Sequence, residues 1–325
     1  MREITYREAL TEALREEMRR DPTVFLMGEE VGRMGNVFGV TKGLLEEFGE
    51  ERLRDTPISE TAIAGGAVGA ALTGSRPVAE IMFADFLSIC MDEIAKAAKW
   101  RYAYGGAFKV PLVIRSCAGH VPYGGGTDQS EMPEARFLNM PGLKVIVPTT
   151  PEDAKGLLKS AIRDDNPVIF LEHKQLYVTK GPVPDGEYLT PIGKAALRRP
   201  GKHLTVVASG LMVPRSLAAA AEVARDGIEA EVIDLRTIKP LDAATVIESV
   251  RRTSRLLTVE EGYRSAGVGA EVAARVAEEA LEYLEAPIRR LAVPDVPIAD
   301  NGVLSDFVIP TVPRIAQAMR DLVKG

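Results

Sequence analysis

Asp55-Thr56-Pro57-Ile58-Ser59-Glu60 opens onto Thr61-Ala62-Ile63-Ala64-Gly65-Gly66-Ala67-Val68-Gly69-Ala70-Ala71-Leu72-Thr73-Gly74. Ser59 is a good N-cap and Pro57 stops a helix from extending backwards, so the spacing predicts a helix that opens at about Glu60. Glu60 then lies in the first turn, where the helix dipole favours a carboxylate. Gly65, Gly66 and Gly69 are poor helix residues, at roughly 1 kcal/mol each against alanine. A helix carries such a load where something must approach its backbone closely. On the residues alone, Glu60 is either an ordinary first-turn acid or a carboxylate placed for chemistry.

Outward from this helix, extended and helical patterns alternate. Thr5-x-x-Glu8 is a capping box before a helix to about Arg20. Strands are expected at 24–27, 77–82, 111–115, 144–147 and 168–171, with helices from about Phe86 to Tyr102 and from Pro151 to Arg163. Such alternation implies a parallel sheet covered on both faces, an α/β fold. The stretch 177–190 loses all periodicity around Gly181-Pro182-Val183-Pro184-Asp185-Gly186 and reads as a linker, giving domains at 1–176 and 191–325. The second half alternates again, with strands at 204–208, 230–233, 256–259 and 288–292. Its helices are expected at 214–225, 243–252, 266–285 and 310–322. Gly267-Val268-Gly269 lacks the third glycine of a dinucleotide loop and follows Glu260-Glu261, which argues against nucleotide binding there.

The chain has 325 residues, 46% hydrophobic and 26% charged, with a net charge of −6. That balance fits a globular enzyme and excludes a nucleic-acid binder, since no basic run is long enough to track phosphates. Cys90 and Cys117 sit in apolar stretches and read as buried thiols. The apolar run 62–72 is too short and glycine-rich to span a bilayer, and the first residues lack an apolar signal core, so no membrane contact and a cytoplasmic location are expected.

Three further stretches complete an ordered set: Leu26-Met27-Gly28-Glu29-Glu30-Val31, Arg76-Pro77-Val78-Ala79-Glu80-Ile81-Met82-Phe83-Ala84-Asp85-Phe86, and Val232-Ile233-Asp234-Leu235-Arg236-Thr237-Ile238-Lys239-Pro240-Leu241-Asp242 with Thr258-Val259-Glu260-Glu261-Gly262. From about Thr5 to Val323 the chain resembles the β subunit of the thiamine-diphosphate-dependent decarboxylase component of 2-oxo acid dehydrogenase complexes. Pyruvate, branched-chain 2-oxo acid and acetoin dehydrogenases share that subunit type. The resemblance implies a pyrimidine-binding thiamine domain followed by a transketolase C-terminal-type α/β domain. It implies that Glu60 exchanges a proton with the cofactor's pyrimidine ring, and that Phe86 stacks on that ring. No Gly-Asp-Gly diphosphate motif occurs. The family's answer is an α subunit that holds the diphosphate and Mg²⁺, in an α₂β₂ assembly served by a lipoyl acyltransferase core. The resemblance also implies a potassium ion ringed by Val113, Ala161, Ile162, Asp164 and Asn166; on the residues alone that turn is equally an ordinary helix end.

One position departs from the pattern. The loop Gly124-Gly125-Gly126-Thr127-Asp128-Gln129-Ser130-Glu131-Met132-Pro133-Glu134-Ala135 places Gln129 where the family carries a histidine thought to donate a proton in acyl transfer. Glutamine hydrogen-bonds but is no acid near neutral pH. His120 is the candidate replacement donor, and a different acyl acceptor is the other possibility. His173 and His203 read as strand-end and surface residues. A split transketolase-like subunit transferring a ketol unit, and a non-catalytic scaffold subunit, are the alternative readings; an intact Glu60 argues against the scaffold.

Overall fold

The structure, a computed structural model, describes residues 1–122 and 125–324. Gly124 of the glycine-rich loop lies outside the described residues. The chain divides into two compact units, one formed by Met1–Ala118 with Phe137–Ile192, the other by Gly119–Arg136 with Gly193–Gly325.

In the first unit the elements are β1 (Arg2–Thr5), α1 (Tyr6–Arg20), β2 (Val24–Gly28), α2 (Leu45–Phe48), β3 (Leu53–Asp55), α3 (Glu60–Leu72), β4 (Arg76–Phe83), α4 (Met91–Ala103), β5 (Val113–Ala118), β6 (Lys144–Ile146), α5 (Pro151–Arg163), β7 (Val168–His173) and β8 (Lys180–Val183). Six strands run in the order β6-β7-β5-β4-β2-β3, every pair parallel. β5 and β7 are buried along their whole length, as a parallel sheet with both faces covered requires. The capping box forms: the Thr5 side chain accepts from Glu8 N while the Glu8 carboxylate accepts from Thr5 N.

The structure corrects three local expectations. The helix expected from Phe86 begins at Met91, and Phe86 instead lies on a 3₁₀ turn, Ala84–Ser88. The aperiodic stretch after Tyr177 contains β8, paired antiparallel with β1. Pro182 is tolerated there because a two-stranded ribbon leaves an edge without a ladder partner. Ser59 stands at the N-cap of α3 but makes no side-chain cap bond. Its ψ is 85°, whereas the bonding caps Thr5 and Thr150 have ψ of 156° and 158°.

The second unit contains β9 (Ala196–Arg199), β10 (Leu204–Ala208), α6 (Met212–Val223), β11 (Ala230–Asp234), β12 (Thr237–Lys239), α7 (Ala243–Thr253), β13 (Leu256–Tyr263), α8 (Val268–Ala280), β14 (Arg289–Val293), α9 (Gly302–Val308) and α10 (Val312–Lys324). Its five-stranded sheet runs β14-β13-β10-β11-β9, parallel except for β9. Val206, Val232, Leu257 and Met319 are among the fully buried residues of its core. Among the described residues no helix is long and apolar enough to cross a membrane.

Candidate active site

The ends of β2, β3 and β4 build the ground on which Glu60 stands. Gly28 pairs with both Asp55 and Glu80 across the sheet. A Cβ at Gly28 would sit 2.7 Å from the Glu80 carbonyl oxygen, so only glycine fits. The Asp55 carboxylate accepts from the backbone N–H of Gly32 at 2.6 Å and of Arg33 at 3.1 Å, which fastens the loop after β2. Thr56 N donates to the Gly28 carbonyl at 3.0 Å. α3 then starts at Glu60, which is only 8% exposed. Burial, then the charges of Glu60 and Glu30, push the half-buried Glu29 carboxyl up from its ordinary range. Two carboxyl groups from different elements thus share one electrostatic neighbourhood.

Phe86 is brought to the same place. Thr61 Oγ1 donates to the Ile89 carbonyl at 3.1 Å, and Ile89 N donates to the Phe86 carbonyl at 2.9 Å. The first turn of α3 is thereby tied to the turn that carries Phe86. The Cys90 thiol that ends this turn is pushed up to about 12 by burial first, then by Glu93 and Glu60. Both cysteines are free and buried.

Beneath these residues lies a buried charge network that reading the sequence missed. Arg115 on β5 donates through Nε and Nη2 to the two oxygens of Glu172 on β7, both at 2.7 Å, and through Nη1 to Glu80 on β4. Asn36 Nδ2 also donates to Glu80, and the Tyr177 hydroxyl to Glu172 at 2.8 Å. Burial works to lower the Arg115 pKa, but Glu172 and Glu80 outweigh it and hold the guanidinium charged. Burial raises the Glu80 carboxyl even so. The signal was available: Glu80, Arg115 and Glu172 are lone charges inside apolar strand runs, and such charges need partners.

The outer face of α3 has no such explanation inside the chain. Ala62, Gly66, Gly69 and Thr73 are exposed at helical spacing. A Cβ at Gly69 would meet nothing within 4 Å among the described residues, and one at Gly66 would make only ordinary contact with Met27. Ile58 and Ile89, next to this helix start, are exposed at 80% and 56%. The glycines do not make room for this chain's own atoms.

Of the five residues of the expected potassium site, Ala161, Ile162, Asp164 and Asn166 lie at the C-terminal end of α5 and Val113 lies on β5. Arg76 Nη1 donates to the carbonyls of Ile162 (3.0 Å) and Asp164 (3.1 Å), while Asp164 N donates to the Ala161 carbonyl. Asp164 pairs with Lys144, and its Oδ1 accepts from the backbone N and side-chain Nδ2 of Asn166, both at 2.8 Å. Val113 lies in the sheet opposite Val78 and Val168. The carbonyl oxygens of Ala161, Ile162 and Asp164 are oxygen donors of the type hard cations take, each with two lone pairs. Among the described residues no group of three or more His, Cys, Asp or Glu side chains converges to hold a metal ion.

His120 and Gln129 belong to the second unit. His120 is 3% exposed; its N–H donates to Glu261 Oε1 at 2.6 Å and its Nδ1 lies 3.4 Å from Ser130 Oγ. Gln129 is half-buried in the same loop. Three acids gather here in a second cluster that the sequence did not announce. Burial, then Glu260 and Glu261, holds Glu134 well above the carboxylate range. Burial raises Glu260 to about 7 although Gly269 N donates to it.

Comparison with known proteins matches residues 2–180 to the transketolase pyrimidine-binding domain and 193–315 to the transketolase C-terminal domain. The chain is 45% identical to the acetoin:2,6-dichlorophenolindophenol oxidoreductase β subunit of Cupriavidus necator, covering 100% of this chain and 98% of that protein. It is also 45% identical to the 2-oxoisovalerate dehydrogenase β subunit of Bacillus subtilis, covering 98% of each. Pyruvate dehydrogenase E1 component subunit β of the same organism is 46% identical over 91% of each chain. A split-gene transketolase, solved as an inactive β4 tetramer, shares the fold with a TM-score of 0.81 at 23% identity, covering 99% of both chains. With both domains present in order and such identity along its length, the chain belongs to the family of β subunits of the thiamine-diphosphate-dependent decarboxylase component of 2-oxo acid dehydrogenase complexes.

Proposed function

We propose that this chain contributes the pyrimidine half of a thiamine-diphosphate site and works as an oxidoreductase with an α partner in an α₂β₂ assembly. The reaction is decarboxylation of a 2-oxo acid followed by reductive acylation of a lipoyl domain on an acyltransferase core. The observation that carries this reading is a single helix. α3 bears a buried carboxyl at its first residue and an exposed outward glycine face, where a Cβ at Gly69 would meet nothing within 4 Å among the described residues.

When bound, thiamine diphosphate supplies the carbanion chemistry that side chains lack. Glu60 would be the residue that exchanges a proton with the pyrimidine ring nitrogen. Burial, and then the charge of Glu60, raises the Glu29 carboxyl, which lies in the same electrostatic neighbourhood. Phe86 offers a ring face for stacking. The α partner holds the diphosphate and Mg²⁺, as the family does where a chain carries no Gly-Asp-Gly motif. A potassium ion at Val113, Ala161, Ile162, Asp164 and Asn166 acts only as structural support beside Arg76. The names of the relatives span acetoin, 2-oxoisovalerate and pyruvate, which supports a small 2-oxo acid or acetoin as donor. A cytoplasmic location belongs to the same reading.

Identity of 45% to dehydrogenase subunits favours this reading over ketol transfer, where the likeness is one of fold. The test is Glu60→Gln in the assembled complex. The amide keeps the shape but cannot exchange the proton, so turnover falls by about 10²–10⁴ while the circular dichroism spectrum is unchanged. Near-normal decarboxylation by the folded variant would refute the role given to Glu60.

A further inference from the structure

The loop after β2 carries a ring that the proposed chemistry does not use. Asn36 anchors the loop: its Nδ2 donates to buried Glu80, and its Oδ1 accepts from Phe38 N at 2.6 Å. Asn36 has φ of 67°, a left-handed conformation that asparagine tolerates better than most residues. Arg7 Nη1 donates to the Phe38 carbonyl at 3.2 Å. Phe38 is therefore held on both sides of its Cα.

Its ring connects two groups. It stacks on Tyr177 with centroids 5.1 Å apart and planes at 28°. It meets Phe83 edge to face at 6.2 Å and 86°. Phe83 in turn meets Phe86 edge to face at 5.8 Å and 85°. Lys174 Nζ lies 5.5 Å from the Phe83 ring centroid. Tyr177 is itself fixed by its hydroxyl on Glu172. Phe83 is thus bounded by Phe38, Lys174 and Phe86, and its plane cannot turn without disturbing all three contacts.

We infer that Phe38 is a positioning residue for the cofactor ring, acting through Phe83 to set the plane that Phe86 presents. The inference rests on the reading of Phe86 as the pyrimidine-stacking residue. Edge-to-face pairs have a narrow geometric preference, so a change of one ring's tilt is passed to the next. Asn36 and Glu80 couple this chain of rings to the buried charge network, which keeps the loop in register with β4.

The test uses the assembled α/β enzyme with thiamine diphosphate and Mg²⁺ as probe. Cofactor affinity is measured by calorimetry, and kcat at saturating cofactor. Phe38→Leu removes the ring; Phe38→Met, closer in volume, serves if the leucine variant fails to assemble. Loss of one such ring contact corresponds to an affinity weakened by about threefold to tenfold. The loss in Phe38→Leu falls on cofactor affinity more than on kcat at saturating cofactor, and Phe38→Tyr, which keeps the ring, restores affinity. Unchanged affinity in Phe38→Leu or Phe38→Met, or equal loss in Phe38→Tyr, overturns the inference. Phe86→Leu separates the two levels. If it weakens cofactor binding and the Phe38 variants do not, the relay fails and the site stands. If Phe86→Leu has no effect, both fall together.

Discussion

Replacing Arg115 by methionine tests whether the sheet under the candidate site depends on its buried charges. The guanidinium is 2% exposed, and its partners Glu172 and Glu80 are 0% and 7% exposed. Methionine fills much of the volume but leaves two carboxylates with Asn36 and Tyr177 as their side-chain donors among the described residues. Removing one member of a buried ion pair costs about 3–5 kcal/mol. For a unit of this size that corresponds to a midpoint lowered by about 6–20 °C. The pH dependence gives a second, signed expectation. Burial already raises the Glu80 carboxyl, and without the cation that opposes this it moves further above its unfolded value of about 4.3. The folded state then keeps protons that the unfolded state has released, so stability falls as pH rises through that window. The deficit is therefore smaller at pH 5 than at pH 8, measured by thermal melts of variant and wild type. A loss below about 1 kcal/mol, or one that grows in acid, would refute the argument that this network holds the sheet ends.

Gly69→Leu is expected to leave the isolated chain folded, because a Cβ there meets nothing within 4 Å among the described residues, and to abolish capture by an α partner in size-exclusion chromatography; normal assembly would remove α3 from the interface. Glu260 titrates at about 7 against an ordinary 4.5, so it lowers stability as pH rises between those values, by at most about 3 kcal/mol at 1.4 kcal/mol per unit. Glu260→Gln, which still accepts from Gly269 N, should be more stable than wild type above pH 7 and equal to it below pH of about 4 in urea titrations, and a variant no more stable at pH 8 would contradict the assignment. Gln129→His should speed reductive acylation of a lipoyl domain more than decarboxylation measured with an artificial electron acceptor; equal effects would mean that transfer does not lack an acid. Exchanging potassium for tetramethylammonium, too bulky for a carbonyl ring, should lower the melting midpoint, and an unmoved midpoint would leave the end of α5 to Arg76 alone.

Local chemistry was legible where one residue decides the outcome. Thr150 and Pro151 set the start of α5, and the capping box set that of α1. The strand at 204–208 was read to the residue, because a short apolar run between turn residues leaves few choices. Phe86 shows where the reading gives out: apolar spacing does not separate a 3₁₀ turn from the helix after it. α8, expected over 266–285, ends at Ala280 before a further 3₁₀ turn, Leu281–Tyr283, for the same reason. β8 was hidden because its partner, β1, lies about 180 residues earlier and no local pattern encodes that pairing. At the site, the position of Glu60 in a first turn was legible from Pro57 and Ser59, and its chemistry came only from family resemblance. The Arg115 network and the ring contacts of Phe38 depend on side chains from four or five separate elements, which spacing along the chain does not reveal.

The excursion of Gly119–Arg136 into the second unit has a consequence for how this protein can be inherited. A single crossover in the gene near residue 190 would exchange everything after it, yet residues 119–136 would remain with the older half. His120 would then face a foreign residue in place of Glu261, and Glu134 would lose Glu260 and the backbone around Gly262. The two family domains are contiguous along the chain, but the compact units are not. Recombination that shuffles them as modules should be selected against, and the pair is expected to descend as one block.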